Sequence, residues 1–299
     1  MGAEPYSRYI LGNLPWYSVL IVSGMVLAVI LASREEKRLG LPRDTAVDLA
    51  LYAIPFGVIG ARVYYVFFAW DTFAANPLSV LYIWQGGLAI YGGVLGGLAG
   101  IWTLSRRKKL PFLLLLDTAI PGVSLAQSIG RWGNYFNMEA YGAPILRDAF
   151  KFFPLAVRID GQWHQATFFY ESLWDFAVFW VLWLLRKRKR RQGDLFCWYV
   201  LFYGAGRLVI EGLRTDSLMS LGGTLRVSQL LSALSCAAVC VLFLVRAARA
   251  GAIRRGTAAF LGAAAGMLAL SVCLQPPIRA SIVISACCLA IGCFAYTRS

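Results

Sequence analysis

Seven ionisable side chains interrupt otherwise apolar sequence: Arg62, Arg131, Glu171, Asp175, Arg207, Glu211 and Arg214. Tyr203, Arg207, Glu211 and Arg214 are spaced four, four and three apart, which puts them on one face of a helix and lets Arg207 pair with Glu211. Several arginines in one apolar setting fit an anionic planar or tetrahedral group such as a phosphate, because guanidinium offers a bidentate fork that stays charged at any relevant pH. The competing reading is that the arginines snorkel or only pair between helices. It suits Arg131 and Arg214 alone and explains Arg62 and Arg207 poorly. The segment GRWGNYFNMEAYG, Gly130 to Gly142, adds Asn134, Asn137 and Glu139 beside Arg131. Polar groups of this density need partners, which a ligand head group and water would supply.

The elements that must hold these residues are long apolar runs. The chain has 299 residues, is 59% hydrophobic and only 15% charged, against about 25% charged in an ordinary soluble domain. Residues 9–33, 72–105, 227–245, 256–278 and 280–297 are nearly or wholly free of charge, and about 20 apolar residues suffice to cross a bilayer as a helix. The first run is too long for a signal-peptide core, has no basic flank and precedes no small-residue cleavage pattern. The net charge of +14 is gathered between runs: 19 of the 29 Lys and Arg lie in clusters at 34–43, 106–109, 186–191 and 246–255 and at Arg298. Basic clusters after every second span are the positive-inside pattern, beside an anionic lipid surface, and argue against nucleic acid as a partner.

With the clusters cytoplasmic, the sequence predicts an all-α polytopic helical membrane protein. Nine spans are expected, at roughly 14–33, 45–68, 87–104, 112–130, 168–185, 195–213, 227–245, 257–274 and 280–297. They divide into a seven-span core, residues 1–246, and a C-terminal extension of two spans, 247–299. The N-terminus is expected outside the membrane and the C-terminus inside. Arg62 then lies about 17 residues into its span, roughly 26 Å from the inner surface, and Arg207 about 12 residues in, roughly 18 Å. Both fall in the outer half of the bilayer, with Arg131 at the outer end.

The segment from about 131 to 166 is the largest external region, and Asp160-Gly161 within it predicts a hairpin turn. Pro121 falls mid-span and is a candidate kink. The glycines at 86, 87, 92, 93, 96, 97 and 100 have two readings. They allow close helix packing, or they mark broken backbone lining a cavity. The seven cysteines lie in apolar runs and read as small core residues. With His164 the sole histidine, a metal site is not expected, nor is a cofactor.

GRWGNYFNMEAYG resembles the signature of the bacterial prolipoprotein diacylglyceryl transferases, Gly-Arg-x-Gly-Asn-Phe-x-Asn-x-Glu-x-x-Gly, with Tyr135 where phenylalanine is usual. GARVYYV around Arg62, IWQGGLAIYGG, TFFYES with Tyr170 and Glu171, FYGAGRLVIEGLRTDS and LRVSQ resemble further motifs of that family, in order, over roughly residues 10–246. The resemblance implies transfer of the diacylglyceryl group of phosphatidylglycerol to the lipobox cysteine thiol of a prolipoprotein. A thioether forms and glycerol phosphate leaves. It makes phosphatidylglycerol, prolipoprotein signal peptides and membrane lipids the partners. Arg131 and Arg207 would hold the phosphate, and Asn134, Asn137 and Glu139 the glycerol head group. Glu211 would orient Arg207, with Arg62 and Arg214 tuning the same field and Tyr170 and Glu171 joining the lipid-binding set.

The chain departs from the pattern in places. Tyr91 stands where some members have a histidine proposed as the base, and Ala166 stands where proline is usual. Tyrosine, with a reference pKa near 10, is a poorer base but can donate a hydrogen bond. His164 is a substitute candidate for that base or an ordinary surface histidine. Two other functions stay open: a non-catalytic relative that binds an anionic lipid, and an anion transporter. The absence of an internal repeat and of an acidic relay counts against the transporter.

Overall fold

The computed structural model describes residues 7–215, 219–220, 225–271 and 278–298. They form ten α-helices and three two-stranded antiparallel sheets. The helices are α1 (Trp16–Leu39), α2 (Thr45–Phe68), the single turn α3 (Trp70–Phe73), α4 (Ile90–Lys108), α5 (Phe112–Asn137), α6 (Thr167–Leu185), α7 (Asp194–Ile210), α8 (Val227–Arg249), α9 (Arg255–Ser271) and α10 (Ile278–Arg298). The strands are β1 (Tyr9–Leu11), β2 (Leu14–Pro15), β3 (Ala156–Ile159), β4 (Gln162–Gln165), β5 (Met219–Ser220) and β6 (Leu225–Arg226).

Every predicted span contains a long helix, although the end of the eighth lies outside the described residues. Six helices are long and apolar enough to cross a membrane among the described residues: α1, α2, α5, α6, α8 and α10. The protein is a multi-pass membrane protein of all-α class. Pro121 sits within α5 as expected, and Pro55 lies within α2.

The chain forms two compact units. The first comprises residues 1–25, 123–189 and 194–299, so the C-terminal extension groups with α6, α7 and α8. The second comprises residues 26–122 and 190–193. In the second unit α2 and α4 run antiparallel in close contact. Gly92, Gly96 and Gly100 of α4 lie against the backbone of Gly60, Phe56 and Tyr52, one helical turn apart on each side. A Cβ at Gly92 would overlap the Gly60 carbonyl. The packing reading of these glycines is therefore the right one for the stripe within α4. The start of α2 is capped from α1: the Glu36 carboxylate accepts the amides of Asp44 at 3.2 Å and Ala46 at 2.7 Å, a negative group at a helix N-terminus.

In the first unit α5 and α6 are joined by serines. Ser124 Oγ donates to the Asp175 carbonyl at 2.9 Å, Ser128 Oγ to that of Ser172 and Ser172 Oγ to that of Ser128, both at 2.8 Å. Such bonds satisfy polar groups within an apolar surround and fix helix rotation. The expected hairpin is present. β3 and β4 pair with Ile159 opposite Gln162, and Asp160 and Gly161 take φ of 48° and 79°. Successive positive φ values at Asp-Gly belong to the tight turn whose twist matches paired strands.

One boundary differs from expectation. The fourth span was expected to end at Gly130, but α5 continues to Asn137. GRWGNYFN is thus helical, and the chain leaves the helix at Met138, with φ of 53°. The hydropathy of the motif is polar, yet its side chains find partners along a helix.

Candidate active site

Two arginines and two glutamates, from three helices and the turn that ends the last of them, form one ion-pair network. Arg131 comes from the last two turns of α5, Glu171 from the first turn or so of α6, and Arg207 from the end of α7. Glu171 Oε1 accepts both guanidinium groups, Arg131 Nη2 at 2.6 Å and Arg207 Nη1 at 2.8 Å. Arg207 Nη2 reaches Glu211 Oε2 at 2.7 Å, the pair expected from the spacing. Tyr203, one turn before Arg207, lies beside Arg131. The charges of the four side chains cancel, which lowers the cost of burying them. The carboxylates lie underneath, with 3% and 2% of their side chains exposed, whereas Arg131 and Arg207 keep 22% and 15%. The arginines of this cluster are thus more accessible than its carboxylates.

The position of Arg207 is fixed by its neighbours in the sequence. Gly206 packs on Trp174 of α6 so closely that any Cβ would overlap the indole nitrogen, and that nitrogen donates to the Phe202 carbonyl at 2.9 Å. Gly204 faces Cys236 of α8, where a Cβ would stand 2.6 Å from Sγ. From the start of α8, Gln229 Nε2 donates to the Leu208 carbonyl at 2.8 Å, and Arg226 Nη1 to that of Glu211 at 2.6 Å. The helix stops at Ile210, and Glu211 lies in the turn that follows. Arg214 therefore leaves the helical face predicted for it and enters a β-bridge with Gly142.

The remaining residues of the polar motif surround the end of α5. Asn134 is half-buried one turn beyond Arg131, and its carbonyl accepts the Glu139 amide at 3.0 Å. Asn137 Nδ2 donates to Glu139 Oε1 at 3.1 Å and its Oδ1 accepts Arg8 Nε at 3.2 Å. Tyr170 Oη donates to the Leu155 carbonyl at 2.6 Å, tying α6 to the segment before β3. His164 Nδ1 lies 3.0 Å from the Gly142 carbonyl and its ring 5.1 Å from that of Tyr141, so its contacts are with the strand-like segment it pairs with. A family model described as prolipoprotein diacylglyceryl transferase matches residues 8–245. The chain belongs to the prolipoprotein diacylglyceryl transferase family.

Relatives named phosphatidylglycerol–prolipoprotein diacylglyceryl transferase resemble it over most of their length. The one from Halalkalibacterium halodurans is 41% identical over 262 residues, covering 84% of this chain and 90% of the relative. That from Shouchella clausii is 43% identical over 237 residues, 77% and 85% of the two chains. That from Bacillus cereus is 42% identical over 243 residues, 79% and 89%.

Two residues expected at the transferase site belong to the second compact unit. Arg62 is buried, and its donors go to main-chain carbonyls: Nε to Val80 at 2.7 Å, Nη1 to Gly86 at 2.7 Å and Gly87 at 3.0 Å, and Nη2 to Ser79 at 2.8 Å and Tyr82 at 3.5 Å. Gly86 and Gly87, with φ of 89° and 73°, supply the broken backbone of the second glycine reading. Tyr91, half-buried, is the second residue of α4, just past this loop.

Sequence reasoning missed the tethering roles of Trp174, Arg226 and Gln229. LRVSQ flagged the last two as motif residues without a task. It also missed Arg8. No group of three or more His, Cys, Asp or Glu among the described residues is arranged to hold a metal ion. Cys197, Cys236, Cys240 and Cys288 are buried thiols outside any disulfide, Cys287 is half-buried, Cys293 is exposed, and Cys273 lies outside the described residues.

Proposed function

We propose that this protein transfers the diacylglyceryl group of phosphatidylglycerol to the lipobox cysteine thiol of prolipoproteins. The acceptor sulfur forms a bond to the glycerol carbon that carries the phosphate, the carbon–oxygen bond breaks, and glycerol phosphate leaves. Stabilising the leaving phosphate is the largest electrostatic demand of such a step. The observation that supports this reading most is the shared carboxylate: Glu171 holds the Arg131 and Arg207 guanidiniums side by side, and both side chains stay partly exposed. In this reading both arginines grip the phosphate and gain on the charge that develops as the ester departs. Glu211 orients Arg207. Asn134, Asn137 and Glu139 position the glycerol head group, Tyr170 steadies the segment before β3, and Arg214 adds to the field.

Arg62 acts by shaping the loop that precedes Tyr91, and Tyr91 donates a hydrogen bond at the place where a histidine base has been proposed for some members of the family. The thiol loses its proton on attack, and only a few per cent of a free thiol is ionised at neutral pH. The cationic edge of the arginine pair therefore also favours thiolate.

The topology goes with this assignment. The bacterial cytoplasmic membrane is crossed nine times, by a seven-span core and two further C-terminal spans, with the N-terminus outside and the basic clusters inside. The test is to incubate the purified protein with phosphatidylglycerol and a lipobox peptide. Transfer adds the diacylglyceryl mass to the peptide and releases glycerol phosphate. No product, under conditions where a characterised transferase works, removes the reading. Full activity in Arg131→Ala removes the role given to Arg131.

A further inference from the structure

The family match ends at residue 245, and α10 lies wholly beyond it. Yet α10 runs antiparallel along α7, the helix that carries Arg207, and contacts it at three levels. At the start of α7, Tyr296 Oη donates to Asp194 Oδ2 at 3.1 Å, while Arg246 of α8 pairs with Asp194 Oδ1 at 2.9 Å. Midway, Gly292 admits the Leu201 side chain, and a Cβ there would stand 2.5 Å from Leu201 Cδ2. Toward the other end, Ser285 Oγ donates to the Ala205 carbonyl at 2.9 Å, two residues before Arg207. The register is continuous: positions 194, 201 and 205 on α7 meet 296, 292 and 285 on α10.

The other sides of α7 are taken by Trp174 of α6 and by Gln229 and Cys236 of α8. Three supports from different helices leave a rigid helix little freedom to rotate or slide, and a site that must hold a phosphate needs its guanidinium within a fraction of an ångström.

We propose that α10 is a positioning element of the site, in which Ser285 and Gly292 set the rotation and depth of α7 and thereby aim Arg207 at the phosphate. The proposal rests on the lipid-binding part of the function proposed above. The extension is then part of the machinery of the transferase.

The test uses the full chain in detergent, with Ser285→Ala, Ser285→Thr, Gly292→Ala and the double variant Gly292→Ala/Leu201→Ala. Thr103→Ala serves as control, since that hydroxyl bonds the Ala99 carbonyl of its own helix α4 at 2.8 Å. Phosphatidylglycerol binding is read by native mass spectrometry, and KM and kcat by transfer to a lipobox peptide. Ser285→Ala should weaken phosphatidylglycerol binding and raise its KM by about fivefold, the effect of one buried hydrogen bond, and Gly292→Ala should do so at least as much by overpacking against Leu201. Ser285→Thr and the double variant should restore much of the loss, and Thr103→Ala should change nothing.

Unchanged affinity and KM in both single variants overturns the proposal. So does a loss that only tracks the folded fraction. If the wild-type protein binds phosphatidylglycerol but transfers nothing, the shift in affinity still decides for or against α10, and only the transferase reading falls. A wild-type protein that binds phosphatidylglycerol no better than a zwitterionic lipid overturns both.

Discussion

Replacing Glu171 by glutamine removes one negative charge from beneath two guanidinium groups and leaves the shape of the side chain intact. Both arginines approach the same oxygen, Oε1, at 2.6 and 2.8 Å, and glutamine can present a carbonyl oxygen there. The variant therefore isolates charge from geometry. Hydrogen bonds that involve a charged group are worth about 1.5–3 kcal/mol; with glutamine only the guanidinium side stays charged, so each bond moves from the high to the low end of that range, a loss of about 1–1.5 kcal/mol, and the pair loses about 2–3. If that sum acts on the transition state, kcat/KM falls roughly 30- to 150-fold.

The direction within the ratio is also fixed. Losing a negative charge favours an anionic lipid in the ground state, so KM for phosphatidylglycerol should stay level or drop, and kcat should carry the loss. The assay is initial-rate transfer to a lipobox peptide across a phosphatidylglycerol titration, with Glu171→Asp as a companion that keeps charge and alters reach. A kcat within threefold of wild type, or a loss confined to KM, would refute the assignment of Glu171 as the common support of Arg131 and Arg207.

Three further outcomes follow from the same contacts. Gly206→Ala forces a Cβ onto the Trp174 indole and should cost about 1–3 kcal/mol by overpacking; thermal unfolding in detergent measures this, and adding Trp174→Phe should recover part of it. Arg226→Gln loses the charged donor to the Glu211 carbonyl, about 1.5–3 kcal/mol; kcat/KM should fall about tenfold or more, with a smaller change in Tm than Gly206→Ala gives. Arg62→Lys exchanges a planar fork for a point charge and cannot keep all five carbonyls, so limited proteolysis between residues 69 and 89 should quicken severalfold.

What could be read from the residues alone was whatever depends on one element at a time. Arg207 and Glu211 pair as expected because a four-residue step is a property of a single helix. The Asp160-Gly161 turn followed from the dihedral angles those two residues tolerate. The sharing of Glu171 between Arg131 and Arg207 needs the rotations of three helices, and no spacing in one of them encodes it. The extra turns of α5 were hidden for a related reason. Hydropathy reads GRWGNYFN as loop because its polar groups look unsolvated, and the groups that satisfy them, Glu171 among them, are distant in sequence. Arg214 shows the converse. Its spacing continued the helical face, but α7 ends at Ile210 and the chain turns away.

Arg62 carries a last consequence. All five of its hydrogen bonds end on carbonyl oxygens of the main chain, at positions 79, 80, 82, 86 and 87. It therefore grips a path of the chain and not a set of side chains. Such a latch is blind to spelling: serine, valine and tyrosine at 79, 80 and 82 could be exchanged for other residues and the grip would persist, provided the two glycines keep their left-handed turn. The lettering of this loop is thus free to drift and to be re-engineered, while a single arginine on the neighbouring helix preserves its course.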